Sequence, residues 1–213
     1  MGGIGLKSVH YSNVLDDNAA TKRPSWVEVH PQNYFGDGGP AHRWLTAIAG
    51  VYPLSFHSVG LSLGSADGLN TDDLENLSWS GNAHDRYPDL LPIPYTRECL
   101  DHFSAQIARV QDRLKRPILI ENPSRYLSYR QDEMSETDFI SILCKEAGCG
   151  LLFDINNVEV TATNVGLDMD AYIDAIDPGI VSEIHLAGHA TEEHDSGPLL
   201  IDDHGSIVSD VTW

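Results

Sequence analysis

Residues 150–157 read GLLFDINN. Leu151, Leu152 and Phe153 form an apolar run too short and too continuous for an amphipathic helix, the pattern of a strand buried on both faces. The run stops at Asp154. Asn157 follows three residues later, so a strand end curling into a helical turn would aim both side chains the same way. Segments of the same form lie at 4–6 (IGL), 26–30 (WVEVH), 54–57 (LSFH), 117–121 (PILIE) and 181–185 (VSEIH).

Helical patterns separate several of these runs. Residues 41–49 form one, and residues 96–114 carry Leu100, Phe103, Ile107, Val110 and Leu114 at three- and four-residue steps. Ser135 and Asp138 in SETD have the spacing of a capping box, ahead of Phe139, Ile142 and Leu143. Asp168 can cap a further helix through Tyr172, Ile173 and Ile176. Strands alternating with helices imply βαβ units and a parallel sheet, an α/β fold. Residues 65–94, rich in Asp, Asn, Gly and Pro, read as loop. No linker composition interrupts the alternation, so a single domain is expected.

The strand-like runs end in side chains that bind metals: Glu28 and His30, His57, Glu121, Asp154, then Glu183 and His185. A further apolar run, LLIDDHG at 199–205, leads to Asp202, Asp203 and His204. In parallel α/β folds active sites are assembled at the carboxyl ends of strands. Each residue alone also fits a plainer role. A lone His57 or His185 reads as a hydrogen-bonded core histidine, Glu121 or Asp154 as a strand-end carboxylate accepting backbone N–H groups, and Asp202-Asp203 as a turn. Their recurrence at strand ends favours a shared cation, because carboxylates buried singly are strongly destabilising. Asp202 and His204, two apart, can chelate together, as can Asp154 and Asn157. Oxygen and imidazole donors without clustered cysteine suit iron, manganese or zinc.

Composition narrows the partners. Lys and Arg number 13 against 32 Asp and Glu, a formal net charge of -19, which repels nucleic acid and anionic membranes. Cys99, Cys144 and Cys149 form no CxxC pair and read as reduced thiols, which with the absence of a signal-like or spanning apolar stretch points to the cytoplasm.

The motifs GIGL (3–6), EVHPQNY (28–34), HSVGLSLG (57–64), LLPIPYT (90–96), ENPSRYL (121–127), DINNVEV (154–160), EIHLAGH (183–189) and IDDHG (201–205) occur in this order along nearly the whole chain. As a set they resemble the multinuclear non-haem iron-dependent oxidative enzymes, which modify ribosomally made peptides. The resemblance implies a (β/α)8 TIM barrel similar to that of xylose isomerase, two or three iron ions, and oxidation by dioxygen of cysteine or another residue in a precursor peptide. A small partner protein that binds the precursor's leader is implied as well. Carried over motif by motif, the metal ligands would be His57, Glu121, Asp154, Asn157, His185, Asp202 and His204. Glu28, His30, Asn33, Asn122 and His189 would lie behind them or contact substrate.

The sequence departs from that pattern in two places. Family members carry a further helix and strand where DDLENL here runs into SWSG, at Leu77 and Ser78, and a further strand beyond Trp213. A barrel of this type has about 250 residues. An incomplete barrel is therefore expected, with one segment absent near 77–78 and another at the C-terminal end. Two other readings use the same residues: a zinc or manganese hydrolase or isomerase on the same barrel, and a metal-free binding protein descended from the enzyme.

Overall fold

The computed structural model describes residues 2–16, 23–35, 38–58, 61, 63, 93–195 and 197–213. The loop expected at 65–94 and the departure at 77–78 lie outside the described residues, apart from 93 and 94. The chain divides into two compact units, Met1–Arg86 and Tyr87–Trp213.

The first unit holds a parallel sheet of β1 (Gly3–Gly5), β2 (Trp26–Val29) and β3 (Leu54–Phe56), in that order. Val27 and Val29, fully buried, point to one core with Leu6, Tyr34, Ile48 and Tyr52. Helices α1 (Tyr11–Leu15) and α2 (Pro40–Ala49) accompany the sheet, the latter supplying Ile48. β1 sits one residue earlier than the apolar run 4–6 suggests, and β2 and β3 stop one residue before His30 and His57. Trp26 explains the start of β1: it pairs with Gly3, where an added Cβ would come 2.3 Å from the indole. Only glycine fits beneath that ring.

The second unit holds α3 (Arg97–Leu114), β4 (Leu119–Glu121), α4 (Glu136–Ala147), β5 (Gly150–Asp154), α5 (Ile155–Val165), α6 (Met169–Ala175) and β6 (Val181–His185). Its sheet is parallel, in the order β4-β5-β6. The expected caps form, Ser135 accepting from the Asp138 N–H and Asp168 from Ala171, and Thr96 adds another by accepting from the Cys99 N–H. Leu100, Ile107 and Val110 of α3 are wholly buried, worth roughly 1.5–3 kcal/mol each. Arg97 clasps Glu146 with two bonds of 2.8–2.9 Å, and Gln111 donates to the Ala147 carbonyl at 2.8 Å, fixing α3 along α4.

Two elements go beyond the sequence expectation. The turn after Asp154 continues as the helix α5, and the segment before Asp202 is the antiparallel hairpin β7 (Ala190–His194) and β8 (Gly197–Ile201) rather than a strand of the parallel sheet. The described residues thus form a mixed α/β structure with two parallel sheets. No described helix is long and apolar enough to cross a membrane.

Candidate metal centre

Register decides which side chains meet. In the second unit Glu121 pairs with Leu152 and Asp154 with His185, so Glu121, Asp154 and His185 all stand at carboxyl ends of adjacent parallel strands. His185 Nδ1 lies 3.7 Å from Glu121 Oε1 and 3.8 Å from Asp154 Oδ2. Two residues earlier on the same face of β6, Glu183 places Oε1 3.6 Å from the other ring nitrogen of His185. Beyond β8, His204 Nε2 stands 3.6 Å from Asp154 Oδ2 and 2.9 Å from Asp202 Oδ1. His204 holds a left-handed φ of 48°, so the turn carrying it departs from extended geometry.

Asp154 is the hinge of this arrangement and is fully buried. Its Oδ1 accepts the Asn157 N–H at 2.9 Å and so caps α5. Its Oδ2 and Asn157 Oδ1 are buried with no hydrogen-bond partner among the described residues. Burial, and then the Glu121 charge, push the Asp154 carboxyl up to about 7, against the pull of the Asn157 N–H, His204 and His185. Asp202 raises the His204 imidazole above its ordinary range.

These residues fit a cation. Ligands about 2.1 Å from a common ion lie about 3–4 Å from one another, the range of the separations above. A buried anionic oxygen beside a second carboxylate is costly alone and is satisfied by a positive charge. Glu121, Asp154 and His185 can each turn one donor atom toward a common point, all within 4.8 Å of each other.

Asn122 has a different place from Glu121 beside it. It is 1% exposed; its Oδ1 accepts the Asp154 N–H at 2.8 Å and its Nδ2 donates to the Asp154 carbonyl at 2.9 Å. Asn157 Nδ2 donates in turn to the Asn122 carbonyl at 3.0 Å. Asn122 therefore ties the end of β4 to the end of β5. Asp202 is held by Asn156 Nδ2 at 3.0 Å, by the Ser124 hydroxyl at 3.5 Å and, through its own N–H, by Tyr126 at 3.2 Å. His189 reaches Asn156 Oδ1 at 3.0 Å.

In the first unit Glu28 and His57 meet, Oε2 to Nδ1 at 3.4 Å, and the His30 and His57 rings lie 5.1 Å apart at 44°. The His57 N–H donates to the Val29 carbonyl at 3.0 Å, which extends the β2–β3 pairing to the histidine. Asn33, on the short 3-10 turn Pro31–Tyr34, is exposed.

Sequence reasoning passed over Asn156 and Tyr126. It named Glu183 with His185 among the strand-end side chains that bind metals, since period-two alternation puts the two on one face, but left it out of the ligand set carried over from the family. Spacing alone could not choose Asn156 as well as Asn157.

The chain is similar over its length to proteins of known family. The model of the RiPP precursor modification enzymes MbnB/TglH/ChrH matches residues 1–78 and 74–213. A UPF0276 protein of a Caulobacter species is 44% identical over 227 aligned residues, covering 99% of this chain and 81% of that protein. One from Psychromonas ingrahamii is 41% identical, covering 99% and 79%, and one from Paraburkholderia phytofirmans is also 41% identical, covering 99% and 73%. With carboxylates and imidazoles gathered at its strand ends and a match running from end to end, the chain belongs to the MbnB/TglH/ChrH family of RiPP precursor modification enzymes.

Proposed function

We propose that this protein is an iron- and dioxygen-dependent oxidase that modifies cysteine, or another residue, of a ribosomally synthesised precursor peptide. The observation that carries the reading is Asp154 Oδ2, an anionic oxygen sealed from water without a donor and faced by His185 and His204. Two or three iron ions would be held by His57, Glu121, Asp154, Asn157, His185, Asp202 and His204. The scaffold would be one (β/α)8 barrel domain spanning the chain, xylose-isomerase-like, and a small protein would deliver the precursor's leader. Family membership supports the peptide substrate, and parallel βα units with ligands at strand ends support the barrel. The break of the family match at 74–78 supports an absent segment there.

Iron, when bound, supplies a Lewis-acidic centre able to change oxidation state. The chain's own residues do the rest. Glu183, whose Oε1 lies 3.6 Å from His185 Nε2, would steady that ring once it binds metal, as carboxylates do for ligating histidines. Asn122 fixes the Asp154 backbone, and Glu28 stands in the same relation to His57 as Glu183 to His185. His30 and His189 would contact the peptide, as the family resemblance implies.

The test uses the full chain, produced with iron without air and then given dioxygen and the short cysteine-containing precursor encoded beside it. Iron on the protein, oxygen uptake and a mass change in the peptide are the expected results. Tightly bound zinc or manganese with no oxygen uptake would favour the hydrolase or isomerase. A chain that retains no transition metal would overturn both and leave the binding descendant.

A further inference from the structure

Asn156 is wholly buried at the start of α5, and its two polar ends are both engaged. One end lies 3.0 Å from Asp202 Oδ1 and the other 3.0 Å from His189 Nδ1. A carboxylate oxygen only accepts, so the end facing Asp202 is the amide NH2 and the end facing His189 is the carbonyl oxygen. That oxygen also only accepts, which puts the hydrogen of the second contact on His189 Nδ1. A neutral imidazole carries one N–H and one lone pair. Nε2 of His189 is then the lone-pair atom, and it has no partner among the described residues.

The main chain of His189 is held separately. Ser206 Oγ donates to the His189 carbonyl at 2.9 Å, and an added Cβ on Gly188 would come 2.3 Å from the Ile207 carbonyl oxygen. Backbone and ring are thus fixed from two sides, while the imidazole stays half-buried. The same Asp202 oxygen that receives Asn156 lies 2.9 Å from His204 Nε2, so the contacts run unbroken from the metal ligands to His189.

We propose that Asn156 is a positioning residue: it passes the fixed orientation of Asp202 to His189, holds that ring in the Nδ1–H form, and so presents Nε2 as an acceptor for a hydrogen-bond donor of the bound peptide. Only the identity of that donor rests on the peptide-modifying reading; the tautomer does not.

The experiment records the ring nitrogens of nitrogen-15 histidine-labelled, metal-free full chain at mildly alkaline pH, with His189 assigned by its loss in His189→Gln. His189 in the parent is expected as Nδ1–H with a lone pair on Nε2, and Asn156→Ala moves it to the Nε2–H form or to an average of both. An Nε2–H parent overturns the proposal without any variant, as does an Asn156→Ala spectrum identical to the parent's. With the precursor peptide, Asn156→Ala is expected to keep its metal content and convert the peptide about 10- to 100-fold more slowly. Unchanged conversion would overturn the acceptor role. Failure of the parent to modify the peptide would strike the proposed function and leave the tautomer result standing.

Discussion

Asp154 serves two purposes with two oxygens. Oδ1 caps α5 through the Asn157 N–H, a local bond that any Asp or Asn at a helix start can make. Oδ2 has no such partner among the described residues and sits with Glu121, His185 and His204 around it. In the metal-free protein this charge opposes folding, and with a cation present it becomes a ligand. Asp154→Asn keeps the cap and removes the charge. Metal-free Asp154→Asn is therefore expected to be more stable than the parent at neutral pH, by on the order of 1 kcal/mol, when unfolding is followed in urea. Its metal content after reconstitution should fall sharply. A variant that loses stability without metal, or binds metal as the parent does, would show that Oδ2 is served by the protein itself.

The loop after β4 is tied to α4 by a buried ion network. Arg125 lies 3.4 Å from Glu136 in the first turn of α4 and 3.6 Å from Asp132, with its guanidinium carbon 4.9 Å from the Tyr95 ring centre. Its backbone N–H donates to Thr161 of α5 at 2.9 Å, so the loop that follows Glu121 and carries Asn122 is fastened on two helices. Burial outweighs Arg125 and pushes the Glu136 carboxyl from 4.5 up to about 7. Between those values the folded chain holds a proton that the unfolded chain has released. Stability therefore falls as pH rises from about 4.5 to about 7 and levels off above. Glu136→Gln removes this contribution: the parent should lose on the order of 3 kcal/mol relative to the variant across that window, read from denaturation midpoints at several pH values. Elements like α4 were legible because their signals are local. Thr96, Ser135 and Asp168 sit where their hydroxyls or carboxylates reach the third N–H, and the apolar residues follow at helical steps. The sequence INNVEVTATNV of α5 carries no such signal beyond its cap, because asparagine and β-branched residues are poor helix formers. Burial of Val158, Val160 and Thr161 holds it helical instead. The hairpin β7–β8 lacks both strict alternation and a favoured two-residue turn, so nothing in ATEEH or GPLLI announced it.

Across the whole molecule, the acidic surplus has two parts that differ in kind. The chain has 32 acidic residues against 13 basic ones, and most of the acidic residues among the described ones are exposed, where mutual repulsion is long-ranged and screened by salt over about 8–10 Å. Glu121, Asp154 and Asp202 are gathered around one point, Asp154 wholly buried and Asp202 18% exposed, where screening by mobile ions is weak. The meeting of Glu121 and Asp154 was readable because parallel strands in register must bring their carboxyl ends together, whereas the arrival of Asp202 on an antiparallel hairpin and the partners behind it, Asn156 above all, follow from contacts that spacing does not encode. The two parts should separate in a melting experiment on metal-free protein. Potassium chloride raises the midpoint gradually, with no preference among monovalent salts, by screening the surface. Ferrous iron, added without air, raises it further at concentrations far too low to screen, stabilising the fold by about 2.7 kcal/mol when free metal exceeds its dissociation constant a hundredfold. Asp154→Asn should keep the salt response and lose the metal response. If instead the variant keeps both, the iron effect is surface charge neutralisation, and the strand-end carboxylates are not the site that binds it.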